Sequence, residues 1–298
     1  MDDHDARELL ERFGTFVDQF GVCFNRRPQR EAARRYLDGL FNDSERKSMQ
    51  AMHGRLSDPA TYQALQHFVT DAPWEADALW TRLRAVVPTR AGLLAVDDTG
   101  LPKQGRHSPG VQRQYCGALG KIGNCQVAVS TVLVADGLTW PLSCELYVPQ
   151  AWVADPERCA RAGIPDTIRF REKWRIALRH IRRVRKAGFS ITAVLADTDY
   201  GSTAGFRHGL EHLGLRYALA IRGCVTVWMA GAQRPQPVSA VATAVPETAW
   251  QRVTWATGTK GPLAARFVAY RVRPARSRGE RWLLCERSLA TDERKYYL

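Results

Sequence analysis

LLAVDDTG (93–100) and ITAVLADTDYG (191–201) are the two stretches on which the reading of the fold turns. Each is a short apolar run of strand length that stops at aspartate, Asp97-Asp98 in the first and Asp197 with Asp199 in the second. A buried strand followed by a polar turn has this composition. Working outward, QVAVSTVLVA (126–135) is rich in β-branched residues, Asp136-Gly137 is a hairpin signal, and residues 139–148 return as the partner strand. Residues 168–187 carry Phe170, Trp174, Ala177, Leu178, Ile181 and Val184 at helical spacing and end at Gly188. A second helix over 203–213 and a strand over 216–221 complete the order β, β-hairpin, α, β, α, β. The fold expected is α/β, with both acidic clusters at the C-terminal ends of strands in one mixed sheet.

The flanks read differently. Residues 1–90 predict a helical N-terminal domain. Leu9, Leu10, Phe13, Phe16, Val17 and Phe20 mark its first helix, and Pro28 opens a second that runs to Phe41. Asn42, Asp43 and Ser44 offer caps for a third, Asp58-Pro59 begins a fourth, and residues 74–87 form a fifth. Residues 223–298 predict a mostly β insertion, with Trp228, Trp250, Trp255 and Trp282 among short alternating segments. Those tryptophans are expected in its core, the other use being to stack on a displaced base. The catalytic core is thus expected over 91–222.

Bulk properties narrow the function. The 298 residues carry 43 Lys and Arg against 30 Asp and Glu, a net charge of +13 that favours a polyanionic partner through counterion release. Seven cysteines with no C-x-x-C pair argue against a zinc site or a secreted disulfide framework and for reduced thiols in the cytoplasm. The acidic, amphipathic start is no signal peptide, and no apolar run is long enough to span a bilayer. GALGK (117–121) is too short for a phosphate-binding loop, so no nucleotide is expected. His208 and His212 share a helix face, but without an H-E-x-x-H pattern they predict no metal.

The carboxylates carry the chemistry. On neighbouring strands, Asp97 and Asp197 converge at one sheet edge, with Asp98 and Asp199 as the alternatives. Mg²⁺ prefers a few such oxygens together with substrate phosphate, and two ions serve phosphodiester chemistry. Aspartates also close strands merely because they suit turns. Adjacent strand residues face opposite ways, so Asp97 and Asp98 do not both point inward.

VDDTG (96–100), GVQRQYCGALGKIGNCQV (110–127), ELYVPQAWVADPERCARAGIP (145–165) and ADTDYG (196–201), followed by YALAIRG, together resemble the insertion sequence 701 family of transposases. The resemblance implies the DDE group: an RNase H-like core, Mg²⁺ (or Mn²⁺) as cofactor, double-stranded DNA at transposon ends and target as substrate, and a homodimer that pairs two ends. It makes Asp97 and Asp197 the first two catalytic carboxylates and metal ligands, with Tyr200-Gly201 a turn that positions the second. It sets Gln112, Arg113, Gln114 and Tyr115, near Lys103, either beside DNA or in a structural loop. Arg175, Arg179, Arg182, Arg183 and Lys186 on the basic helix are DNA contacts or a solvated face. The resemblance also implies a third carboxylate, a glutamate on a helix after the insertion. The sequence ends at Lys295-Tyr296-Tyr297-Leu298, so that helix is expected to be missing and the chain to be a truncated reading frame or fragment. Glu280, Glu286 and Glu293 lie inside the insertion and are not expected to replace it.

Overall fold

The computed structural model describes residues 3–43, 45, 47–56, 61–259, 261–277 and 279–298. The cap expected at Ser44 and the helix start at Asp58-Pro59 lie outside them. The chain divides into two compact units, Met1–Pro88 and Thr89–Leu298.

The first unit is helical: α1 (Asp3–Asp18), α2 (Arg27–Phe41), α3 (Met49–His53), α4 (Tyr62–Thr70) and α5 (Ala76–Val86). Pro28 sits in the first turn of α2, where its missing N–H costs nothing. The cap of α3 is Ser48, later than Asn42 or Asp43, and its side chain accepts from the Ala51 N–H. Phe24, Ala33 and Phe68 form the core, with Phe20, Tyr36, Trp74 and Leu79 packed against it. Trp74 stacks on Phe68 and its indole donates to the Phe68 carbonyl at 2.7 Å, so the half-buried ring has its polar atom satisfied.

The second unit is built on a mixed sheet. Its elements are β1 (Ala91–Pro102), β2 (Gln112–Cys116), β3 (Lys121–Ala135), β4 (Leu138–Leu146), α6 (Gln150–Val153), α7 (Pro156–Arg161), α8 (Lys173–Lys186), β5 (Ser190–Ala196), α9 (Thr198–Gly201), α10 (Ala204–His212) and β6 (Tyr217–Ile221). There follow β7 (Thr226–Met229), β8 (Gln236–Pro237), α11 (Val238–Thr243), β9 (Gln251–Gly258), β10 (Gly261–Pro274), β11 (Arg281–Ser288) and β12 (Arg294–Tyr297). β3 lies between β4 and β1, antiparallel to both, and β5 and β6 continue the sheet in parallel from β1. This is the RNase H-like arrangement that the strand order predicted. The β-rich segment joins the same sheet, because β12 pairs with β6 and carries β11, β10 and β7 beyond it.

Local chemistry explains the joints. Asp136 and Gly137 both have positive φ (53° and 73°), the geometry that a two-residue hairpin between right-twisted strands demands. β3 starts at Lys121, ahead of the strand expected from Gln126, and this N-terminal extension pairs with β2. The helix predicted over 168–187 begins only at Lys173, with Glu172 extended at its cap. Phe170 leaves the helical register to pack its ring against Tyr147. Ile176, Ala177, Ile181 and Val184 of α8 are buried, beneath a sheet face that presents Leu94, Val96, Val129 and Leu133. Of the insertion tryptophans, Trp250 enters a core with Val227, Val238, Val272 and Leu283, while Trp255 and Trp282 are exposed. Strand alternation turns Trp282 to solvent, Trp255 lies on β9, which is exposed from Gln251 to Thr257, and the Arg271 guanidinium lies 5.2 Å from the Trp282 ring.

Candidate active site

The site grows from strand register. β1 and β5 pair in parallel, with Leu94 opposite Val194 and Val96 opposite Ala196. Asp97 and Asp197 are the next residues on the two strands, so backbone pairing alone brings them side by side. β5 ends there because Asp197 caps α9: its Oδ1 accepts from the backbone N–H groups of Asp199 (3.1 Å) and Tyr200 (3.3 Å).

The pleat separates Asp97 from Asp98. Asp97 is exposed and accepts the Asp98 backbone N–H on Oδ1 at 2.7 Å. Asp98, on the face covered by α8, is held on both oxygens: Lys173 Nζ lies 2.6 Å from Oδ2, and the buried Tyr200 hydroxyl donates to Oδ1. Asp98 is thereby neutralised and fixed, whereas Asp97 keeps an oxygen free. Burial raises the Asp197 carboxyl above its ordinary value, the charges of Asp199 and Asp97 add to that, and the two backbone N–H bonds oppose it. Burial, together with Asp98 and then Asp197 and Asp97, pushes the Tyr200 phenol far up, so it stays a donor.

Asp199 is turned outward and pairs with Arg222 at 2.5 Å. Among the described residues no three His, Cys, Asp or Glu side chains close on one point. The oxygens of Asp97 and Asp197 suit a hard divalent cation, which a few carboxylates hold while water and phosphate complete the shell. The mutual charge that raises Asp197 is the kind a dication relieves. Glu286 accepts from the Tyr297 hydroxyl at 2.7 Å and Glu280 pairs with Arg271. β11, which bears Glu286, lies four strands along the sheet from β1; at about 4.8 Å per strand that is roughly 19 Å.

A family model described as DDE superfamily endonuclease matches residues 19–262. The chain belongs to this family. It is also 36% identical over 189 residues to a protein of Microchaete diplosiphon described as a probable transposase for insertion sequence element IS701, a match covering 62% of this chain. The chain spans about half the length of that curated relative (47%). The resemblance to the insertion sequence 701 transposases drawn from the motifs therefore holds.

Around the DDE endonuclease core, the basic positions divide by what they already touch. Arg113 and Tyr115 are exposed on β2, while Gln114 donates to the Cys125 carbonyl at 3.1 Å and accepts from Gln112. The Lys103 side chain is exposed beside a backbone pinned to Asn124. Arg182 and Lys186 point outward on α8, Arg183 is half-buried, and Arg175 pairs with Glu172 at 2.6 Å. Arg179 is engaged by both oxygens of Glu145 on β4, whose Oε2 also lies 3.4 Å from His180 Nε2. Burial pushes the Glu145 carboxyl up, but the His180 hydrogen bond and the Arg179 charge outweigh it and leave the group below its usual range.

Lys173, Glu145 and Arg222 escaped the sequence reading. Lys173 stands at the first residue of α8, where a cation opposes the helix dipole and the Asp98 carboxylate offsets it. Arg179→Ala leaves the half-buried Glu145 with His180 alone. We expect a loss of about 2 kcal/mol, discounted for partial solvent access, and a melting temperature some 4–8 °C lower. An unchanged melting temperature, with weaker DNA binding, would instead make Arg179 a DNA contact.

Proposed function

We propose that this chain is the catalytic part of a bacterial insertion-sequence transposase that nicks double-stranded DNA at transposon ends and joins the freed 3′ hydroxyl to target DNA. The observation that carries the reading is the parallel register of β1 and β5, whose last pair, Val96 with Ala196, directly precedes Asp97 and Asp197. Residues 1–90 form its helical domain, 91–222 its RNase H-like core and 223–298 its β-rich insertion. It works in the cytoplasm on the nucleoid, as a homodimer that pairs two ends.

Asp97 and Asp197 would hold Mg²⁺, or Mn²⁺ in its place. Bound there, the ion would activate the attacking oxygen and stabilise the leaving one. Asp98 stays out of the ligand set because Lys173 and Tyr200 already take its two oxygens. The Tyr200 backbone N–H and hydroxyl tie Asp197 and Asp98 to one turn, which fixes the spacing between the strands. Lys103, Arg113, Tyr115, Arg175, Arg182, Arg183 and Lys186 would meet the phosphate backbone, with Gln112 and Gln114 ordering that strand.

A second reading, a DNA-binding chain that does not cleave, draws on the distance of Glu286 from the aspartate pair. Nicking of supercoiled DNA carrying the element's ends, in Mg²⁺ and in Mn²⁺, separates the two. Asp97→Ala is expected to abolish nicking by the complete protein while leaving DNA binding intact. Full nicking by that variant would sink the first reading. Salt-sensitive binding without nicking by the parent chain itself would establish the second.

A further inference from the structure

A cavity of about 270 Å³ away from the aspartate pair is lined by Arg106, His107, Trp152, Arg158, Arg161 and Ala162, with no carboxylate in its wall. Its two sides come from the loop over 103–111, which follows β1, and from α6 and α7, which follow β4. β3 is antiparallel to both strands and β5 is parallel to β1, so this loop and these helices leave the same sheet edge as Asp197.

The wall is built rather than incidental. The buried Trp152 donates its indole N–H to the Val111 carbonyl at 2.7 Å, locking loop to helix. Gln126 ties down the Pro109 carbonyl at 2.6 Å, and Asn124 holds the carbonyls of Lys103 and Gly105, both at 2.9 Å. On that floor the Arg158 guanidinium lies flat over the Trp152 ring at 3.7 Å and donates one N–H to the Arg106 carbonyl at 3.2 Å. The stack and this hydrogen bond hold the guanidinium at the cavity wall. Two acids stand near it, outside the cavity lining: Asp155 accepts the Arg158 backbone N–H at 2.9 Å, and Glu157 pairs with Arg161 at 3.6 Å on the exposed rim. A guanidinium pre-oriented by stacking, flanked by two more arginines and a histidine, matches the oxygens of a phosphate.

We propose that this pocket binds one backbone phosphate of the DNA whose cleavage is assigned to Asp97 and Asp197. The proposal rests on that functional reading and adds a contact outside β2 and α8. The pocket is too small for a base pair and reads no sequence; it sets where the duplex lies relative to the carboxylates.

The test is the salt dependence of binding between the full chain and a duplex of arbitrary sequence, measured by fluorescence anisotropy over a range of KCl. Arg106→Ala with Arg161→Ala removes two exposed cations and leaves the Arg158–Trp152 stack, and melting curves should match the parent. Loss of one phosphate contact is expected to shrink the slope of log affinity against log salt by about 1. Replacing both residues by lysine is expected to restore the slope. A slope unchanged in the alanine pair overturns the proposal, whereas a parent that binds no duplex at all overturns the DNA reading beneath it. Melting in inorganic phosphate distinguishes the source of the anion: stabilisation of the parent alone, with equal DNA slopes, would make this a free-phosphate site and overturn the DNA assignment.

Discussion

Asp197→Asn is expected to make the chain more stable at pH 7 and to lower nicking by the complete protein roughly 10³-fold, several kcal/mol of metal-borne stabilisation at 1.36 kcal/mol per tenfold. Burial first, then Asp199 and Asp97, raise the Asp197 carboxyl in the folded chain above its ordinary value. A carboxyl raised by folding binds its proton more tightly in the native state. It therefore favours the fold below the unfolded-state pKa, and that advantage is lost as pH rises through the folded-state value. At pH 7 the parent holds an unwelcome charge there. Asparagine keeps an oxygen for the N–H groups of Asp199 and Tyr200 and carries no charge. The stability gain should be present at pH 7 and close as pH falls through the carboxylate range, measured by thermal unfolding of both proteins across pH. A variant less stable than the parent at pH 7 would show that Asp197 is there to hold the turn rather than to hold a cation.

The outcome at Asp197 depends on a feature half visible in the sequence. That β5 stops at aspartate was legible, because an apolar run of strand length followed by Asp says so; β1 instead continues through Asp97 and Asp98 to Pro102, paired along that length with β3. The Asp136-Gly137 hairpin was equally plain, since two consecutive positive φ angles demand that chemistry. The partners of the carboxylates were not plain. Lys173 reaches Asp98 across 75 positions and Tyr200 across 102, and no local pattern encodes contacts at such separation. The start of α8 was misplaced for the same reason: residues 168–172 fit a helical stripe, but Phe170 gains more by packing on Tyr147 than by extending the turn. The exposed Trp255 and Trp282 show the converse, since composition suggested a core that their strand faces do not provide. Arg179 sat in a run of basic residues that read as one surface, and only the position of Glu145 on β4 sets it apart.

Gly201→Ala is expected to be the most damaging single-methyl change in the core unit. A Cβ built at position 201 would stand 2.0 Å from the Ala220 carbonyl oxygen and 2.9 Å from the Leu219 Cβ. Both belong to β6, and neither is the free end of a flexible side chain, so the short helix α9 must lift off the sheet. The cost should be about 3 kcal/mol, at the upper end for overpacking because backbone rather than a rotamer has to yield. Over a unit of this size that corresponds to a melting temperature lower by roughly 6–12 °C. The functional loss should be larger than the stability loss. Asp197 caps α9 and Tyr200 lies within it, so lifting the helix moves the second carboxylate and withdraws the hydroxyl from Asp98 together. Gly209→Ala makes the control. Its Cβ would meet Leu178 Cδ1 at 2.3 Å, the end of a side chain on α8 that can rotate, and α10 carries none of the aspartates. Nicking by Gly209→Ala, measured well below its melting temperature, should stay near the parent level while Gly201→Ala is inactive in the same conditions. Equal activities in the two variants would mean that α9 does not set the position of Asp197, and the geometric account of the site would fail with it.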